Sequence, residues 1–348
     1  MNLFQKPHPN IGICVSNDKP CLAGIVKKRL EKYPNDASLI KFQIKDMNFN
    51  NLRVKGHHFR KKKGVINEDQ GFFPLPDAIY LQCHVELEVI KKLERVIGRK
   101  VFNNLIFDKW KGWDILSKDV ALRDHLPATQ RLFNKTDFPI FLNSHRDIFI
   151  KPMSSLRGHS SQGIFRVQLQ KDGSIQMFYR QGSEMRNQQF QSFLEVQDQF
   201  FIPNKYILQK GIQTVKCGGK ATDIRLNMSK NRLGKWEVSN LLFRIASNSS
   251  HIIPEDVMVF PINDLRKAYP DFKISEMSIS NIGYRICYIF DKLGYHMGDL
   301  GIDLGVDENG HVWIFEVNPL PFPFTLNPPQ QDHSWIRPLE YALYLASK

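Results

Sequence analysis

Asp303, Glu316 and Asn318 are the residues of this chain whose types and spacing best suit joint chemistry. Apolar-rich runs flank Asn309-Gly310, a dipeptide that accepts the positive φ angles of a two-residue type I′ turn. With that turn, Glu308 pairs with His311 and Asp303 falls opposite Glu316, so the two carboxylates share a face. Alternation puts Asn318 on the same face. Such oxygen donors suit Mg²⁺, which takes one or two carboxylates and completes its shell with water and phosphate oxygens. A solvated hairpin with its acids turned to water is the alternative. Val312 and Ile314, expected on the Glu316 face, favour the buried arrangement.

The elements that must position these residues are drawn from an ordinary globular composition. The chain has 348 residues, 42% hydrophobic and 24% charged, which is room for two or three domains with real cores. The first apolar run, Ile11 to Val15, is too short for a membrane span or a signal segment, which reads as a cytoplasmic protein without a membrane span. Cysteines at 14, 21, 83, 217 and 287 lack the spacing of a zinc site or disulfide framework, so buried or idle thiols are expected. The net charge of +13 and the basic run Lys55 to Lys63 raise a nucleic-acid reading. No finger or RNP sequence accompanies the run, so nucleic acid is not the expected partner. A solvated loop is the expected form of the run. The excess charge equally suits attraction of a nucleotide.

Along the chain, strand signals at Ile11–Val15, Leu39–Ile44 and Ala78–Cys83 alternate with helix signals at Leu22–Tyr33 and Val85–Val96, a small α/β pattern. A helical connector follows Phe107-Asp108-Lys109-Trp110 and ends near Leu126-Pro127-Ala128-Thr129. Strand-like runs then dominate, at Ile148–Lys151, Gly163–Leu169, Ile175–Tyr179, Tyr206–Gln209, Thr222–Met228 and Trp236–Arg244, with a tight turn at Asp172-Gly173. An amphipathic helix over Ser275–Leu293 precedes the hairpin, and a terminal helix starts near Trp335 after the proline-rich segment 319–329.

In this order of elements, Phe107 to Trp110, Leu126 to Thr129, Ile148 to Pro152, Leu208-Gln209-Lys210-Gly211-Ile212, Asp223-Ile224-Arg225, Trp236 to Val238 with Arg244, Gly301-Ile302-Asp303 and Trp313 to Pro319 resemble the ATP-grasp superfamily. More narrowly, they resemble the YheC/YheD endospore coat-associated family. The resemblance implies a mixed fold, α+β and α/β: a small α/β domain over 1–103, then an ATP-grasp domain over 104–348 whose two α+β subdomains clamp ATP. Asp303, Glu316 and Asn318 match the superfamily's magnesium ligands.

The resemblance also assigns roles outside the hairpin. Lys151 ends an apolar strand and is implied to contact phosphate, the alternative being a solvated strand end, and Lys109 is a similar candidate. The polar loop Ser154 to Gly163 is either a plain hairpin loop or a cover for the triphosphate, with backbone N–H groups, hydroxyls and Arg157 as donors and Ser155, Gly158 and Gly163 among the nucleotide-binding residues. Gln209, Lys210 and Ile212 match the hinge that reads the adenine edge. Arg225 and Arg244 lie within apolar strands, where an unpaired arginine is costly. They either pair with Asp223, Glu237 or another carboxylate, or hold transferring phosphate or a substrate carboxylate. The implied activity is ATP- and Mg²⁺-dependent joining of a small-molecule or peptide carboxylate to an amine through an acylphosphate. Transfer to a hydroxyl, or nucleotide binding without turnover in a spore-coat protein, are the rival classes. No GxxxxGK[ST] is present, and no DFG follows an HRD to make the kinase-type series.

Overall fold

The computed structural model describes residues 9–324 and 333–348, apart from 19, 155–162, 183, 201, 203, 248–256 and 263–274. Three sheets carry the fold, and each is explained by how its strands distribute apolar residues.

The first sheet has a parallel centre, in which Asn10–Cys14 lies between Ala37–Phe42 and Ala78–Leu81, with Val101–Phe102 beyond. Its central strands are apolar on both faces because both are covered. Leu87–Ile97 packs on one face through Ile90 and Leu93. On the other lie Val26–Lys32 and the terminal helix His333–Ala346, which gives Leu339, Tyr341, Ala342 and Leu345 to this core. The expected helix over Leu22–Tyr33 is broken into Pro20–Gly24 and Val26–Lys32.

Pro338 inside the terminal helix cannot donate to the carbonyl of Ser334. Arg29, only 1% exposed, supplies the missing donor: its Nη1 reaches the carbonyls of Ser334 and Trp335 at 3.0 Å each. The basic run is not a solvated loop but part of the strand Arg53–Lys62, paired along its length with Val65–Pro74. Glu68 on that partner strand meets His57 and Lys27, and Asp69 meets Arg60, so facing carboxylates offset part of the local charge.

The second sheet is antiparallel, in the order Glu184–Phe190, Ile175–Gln181, Phe165–Leu169, Asp147–Pro152, Tyr206–Lys210, Thr129–Arg131. The helix Asp137–His145 fills its core with Phe138, Phe141 and Leu142.

The third sheet runs Val257–Pro261, Trp236–Ala246, Thr222–Lys230, Asp299–Val306, Val312–Asn318, all antiparallel. One face is apolar and lies under the helix Glu276–Lys292, which is capped by Ser275 and packs through Ile279, Ile282, Ile286 and Phe290. Contact is closest at Gly283, where a Cβ would stand 2.6 Å from Leu226 Cδ2 and 2.8 Å from Met228 Sδ. The opposite face carries Asp223, Arg225, Asn227 and Ser229 on one strand and Asp299, Gly301 and Asp303 on its neighbour. Their cross-strand pairs include Arg225 with Asp303 and Asn227 with Gly301. Among the described residues no helix is long and apolar enough to cross a membrane.

Candidate functional site

The site is built on the polar face of the third sheet. Asp303 pairs with Glu316 and Gly301 with Asn318, as the sequence suggests, but the route to that register differs. Asp307, not Glu308, pairs with His311, and Gly310 alone takes a positive φ, 82°, so the turn has three loop residues. The Asp307 side chain enforces it by accepting from the N–H groups of Asn309 and His311, both at 3.0 Å, and from Trp313 Nε1 at 3.0 Å. A bulge between Asp303 and Leu304, with Phe315 as the extra residue, then restores the expected opposition. It also corrects a second expectation: Val312 and Ile314 do not share the Glu316 face but sit in the core with Leu304 and Val306.

Around these donors the structure gathers cations from three elements. Lys109 begins the helix Lys109–Ser117, which is capped by Asp108, and its Nζ lies 2.7 Å from Glu316 Oε1. Arg244 grips Asp223 with two nitrogens and donates from Nη2 to Asp303 Oδ1 at 2.7 Å. Arg225 Nε stands 3.2 Å from Asp303 Oδ1, its guanidinium lying over the Phe324 ring. Asn318 Nδ2 donates to Asp303 Oδ2 at 2.9 Å, which orients the amide. A side chain at Gly301 would collide with Arg225, its Cβ falling 2.6 Å from Nη1, so glycine there makes room for the guanidinium. Both readings left open for the arginines thus meet: each is paired with a carboxylate, and that carboxylate is part of the site.

Lys151 reaches the cluster from the second sheet. It is not a solvated strand end: Nζ donates to Gln209 Oε1 at 2.6 Å and lies near the Phe149 and Phe315 rings. Burial lowers its pKa to about 8 against the pull of Glu316, which places the two sheets' charges within reach of one another. Burial also works against charge on Asp303, but Arg225 and Arg244 outweigh it and hold the carboxyl below its usual range. Arg244 is raised in turn by Asp303 and Asp223, which overcome its own desolvation. Arg225, with Nε and Nη1 buried and without a hydrogen-bond partner among the described residues, is lowered by burial.

At the matched hinge, Gln209 acts through its side chain, its Nε2 donating to Thr129 Oγ1 at 3.1 Å while Oε1 holds Lys151. The N–H groups of Lys210 and Gly211 are donated to the carbonyls of Ala128 and Asp147 at 2.8 Å each. Lys210's side chain is exposed and Ile212 is half-buried. Ser155, Arg157 and Gly158 lie outside the described residues, whereas Gly163 is seen with φ 80°. Asn103 gave no signal of its own, and Thr129 stood only within the matched segment Leu126 to Thr129, without a role. Asn103 closes an apolar strand, and its role depends on partners nearly two hundred residues away.

The donor set fits a hard divalent cation: two facing carboxylates and an amide whose nitrogen is bound to Asp303, which leaves its oxygen as the remaining donor. Among the described residues no group of three or more His, Cys, Asp and Glu side chains is arranged for a metal. The third donor here is an asparagine, so the site differs in kind from such a cluster.

Antiparallel sheets facing one another across a polar site, behind a parallel-sheet unit, define the ATP-grasp class of fold. D-alanyl-alanine synthetase A from Vibrio cholerae O1 biovar eltor str. N16961 shares it with a TM-score of 0.56 at 13% identity, over 98% of each chain. The chain belongs to the YheC/D-like ATP-grasp family, whose model matches residues 98–345. It is similar to two Bacillus subtilis (strain 168) proteins. Endospore coat-associated protein YheD is 24% identical over 82% of this chain and 67% of its own, and YheC 22% over 89% and 88%.

Proposed function

We propose that the protein binds ATP with Mg²⁺ between its second and third sheets and uses it to join a carboxylate to an amine. The observation that carries the reading is the convergence of Lys109, Lys151, Arg225 and Arg244 on the hairpin bearing Asp303, Glu316 and Asn318. Cations and hard oxygen donors in one partly buried site suit a polyphosphate and its metal.

Asp303, Glu316 and the Asn318 amide oxygen would hold the cation, which when bound neutralises charge on the transferring phosphoryl group. Lys109 and Lys151 bind phosphate oxygens. Gln209 holds Lys151 in position, and the adenine edge falls to the Lys210 carbonyl and the Ile212 N–H, since the Lys210 and Gly211 N–H groups are committed elsewhere. Ser155, Arg157, Gly158 and Gly163 close over the phosphates. Arg225, with N–H groups to spare, positions the attacking carboxylate and steadies the acylphosphate, from which the amine displaces phosphate. The name of the Vibrio neighbour, a D-alanyl-alanine synthetase, supports this reaction class. Association with a spore coat is proposed on the names of YheD and YheC alone.

The test is a thermal-shift titration of wild type and Glu316→Gln with ATP, alone and with Mg²⁺. A Mg²⁺-dependent rise in wild type that the variant loses supports the site, and ADP release requiring both an acid and an amine then identifies the ligase. ADP release with a hydroxyl acceptor would reassign it as a phosphotransferase. No shift with any nucleotide would overturn the reading.

A further inference from the structure

We infer that the Lys109–Glu316 ion pair sets the order in which the site is loaded: a divalent cation enters with a polyphosphate and not ahead of it. The inference rests on the nucleotide reading above and concerns what this chain does before the nucleotide arrives.

Both carboxylates that would hold the metal are already engaged. Glu316 is held by Lys109 at 2.7 Å, with the lysine side chain only 9% exposed. Asp303 is held by Arg244 at 2.7 Å, by Asn318 at 2.9 Å and by Arg225 at 3.2 Å. Counting Asp223 and a protonated Lys151, the site carries four cations against three carboxylates. A free dication would triple that positive excess. In a partly buried site each such repulsion is about fourfold larger than in water.

A triphosphate reverses the balance and offers Lys109 a better partner. Lys109 stands at the first position of its helix, where an ammonium opposes the positive end of the helix dipole and a phosphate is favoured. Its backbone N–H is fixed to the Met153 carbonyl at 3.0 Å, so the root stays in place while the four-carbon stem swings. Movement of one side chain then frees Glu316 at the moment the phosphates arrive. Arg225 and Arg244 lack this freedom, being rooted mid-strand and wedged against Gly301 and Asp223 respectively. Lys109 is therefore the movable member of the set and a positioning residue for the metal.

The experiment measures Mn²⁺ binding without nucleotide by electron paramagnetic resonance, on wild type, Lys109→Met and Lys109→Gln. Binding of ATP with Mn²⁺ to wild type is measured alongside. Wild type is expected to bind Mn²⁺ alone at least about tenfold more weakly than either variant, and the gain is expected to vanish when Glu316→Gln is added to Lys109→Met. Two neutral replacements of different polarity guard against one that fails to fold, and thermal melts confirm folding. Wild type binding Mn²⁺ alone as tightly as the variants, while still binding ATP with Mn²⁺, would overturn the loading order and leave the nucleotide site standing. Wild type binding neither ATP nor its Mn²⁺ complex would overturn the nucleotide reading and this inference with it.

Discussion

Lys151 shows how a single residue records the purpose of its surroundings. An ordinary lysine titrates near 10.4, whereas burial brings this one to about 8. Between those values the unfolded chain holds a proton that the folded chain has released, so stability rises with pH across the window, and below pH 8 the penalty of a buried ammonium is fully present. The shift corresponds to at most about 3 kcal/mol, an upper limit because the side chain is only half-buried. Melting temperatures of wild type and Lys151→Met between pH 7 and 10 are expected to diverge at neutral pH in favour of the variant and converge towards pH 10. A flat difference would mean that the ammonium is not desolvated. A triphosphate restores the charge, so ATP binding at pH 8.5 should take up a proton, seen as a dependence of calorimetric heat on buffer ionisation enthalpy. The position of Lys151 was legible from the apolar run before it. Its burial was not, because Gln209 and Phe315, the groups that enclose it, come from other strands.

At the scale of elements, the hairpin was legible for its faces and misread for its turn. The residue types of Asp303, Glu316 and Asn318 point to a shared face, but strict alternation would put Val312 and Ile314 there too, and only the extra residue Phe315 lets that apolar pair enter the core while Asp303 still faces Glu316. The turn responds to more local chemistry: Asp307 takes three donors and draws the loop one residue wider, and the bulge at Phe315 absorbs the difference. Nothing in Asn309-Gly310 announces that competition. The basic run was misread for a related reason, because its partner strand Val65–Pro74 is mostly exposed and lacks an apolar period. The helix over Glu276–Lys292 was legible in full from its 3.6-residue period, but its closeness to the sheet was not. Gly283→Ala pushes a methyl into Leu226 and Met228 and is expected to lower stability by about 1–3 kcal/mol in denaturant melts. It acts on the apolar face, so the Mg²⁺-dependent stabilisation by ATP should be retained. Loss of that dependence would show that the helix packing governs the opposite face as well.

Over the whole molecule, the proposed boundary between residues 103 and 104 falls at a point of unusually tight connection. Asn103 is fully buried, with φ 54°, and its amide makes four bonds to the third sheet and the segment after the hairpin. Oδ1 accepts from the N–H groups of Gly298 at 2.8 Å and Asp299 at 3.0 Å, while Nδ2 donates to the carbonyls of Asp299 and Pro319 at 2.8 Å each. These contacts grip the start of the strand carrying Asp303 and the residue after Asn318, so one side chain ties the open end of that hairpin to the first sheet. The terminal helix adds a second tie, with Tyr341 and Ala342 in the first sheet's core and Asn240 donating to Ser334 Oγ at 2.7 Å. Asn103→Ala strands four backbone groups and places alanine at a positive φ, a combined cost of about 3–5 kcal/mol. If the amide only fastens two units, melts should fall by that amount while ATP with Mg²⁺ still stabilises the variant as it does wild type. If it also sets the spacing of Asp303 and Asn318, the Mg²⁺-dependent increment should shrink in Asn103→Ala yet persist in Gly283→Ala at similar loss of stability. The second outcome is expected, because all four bonds end within five residues of a proposed metal donor, whereas Gly283 touches none.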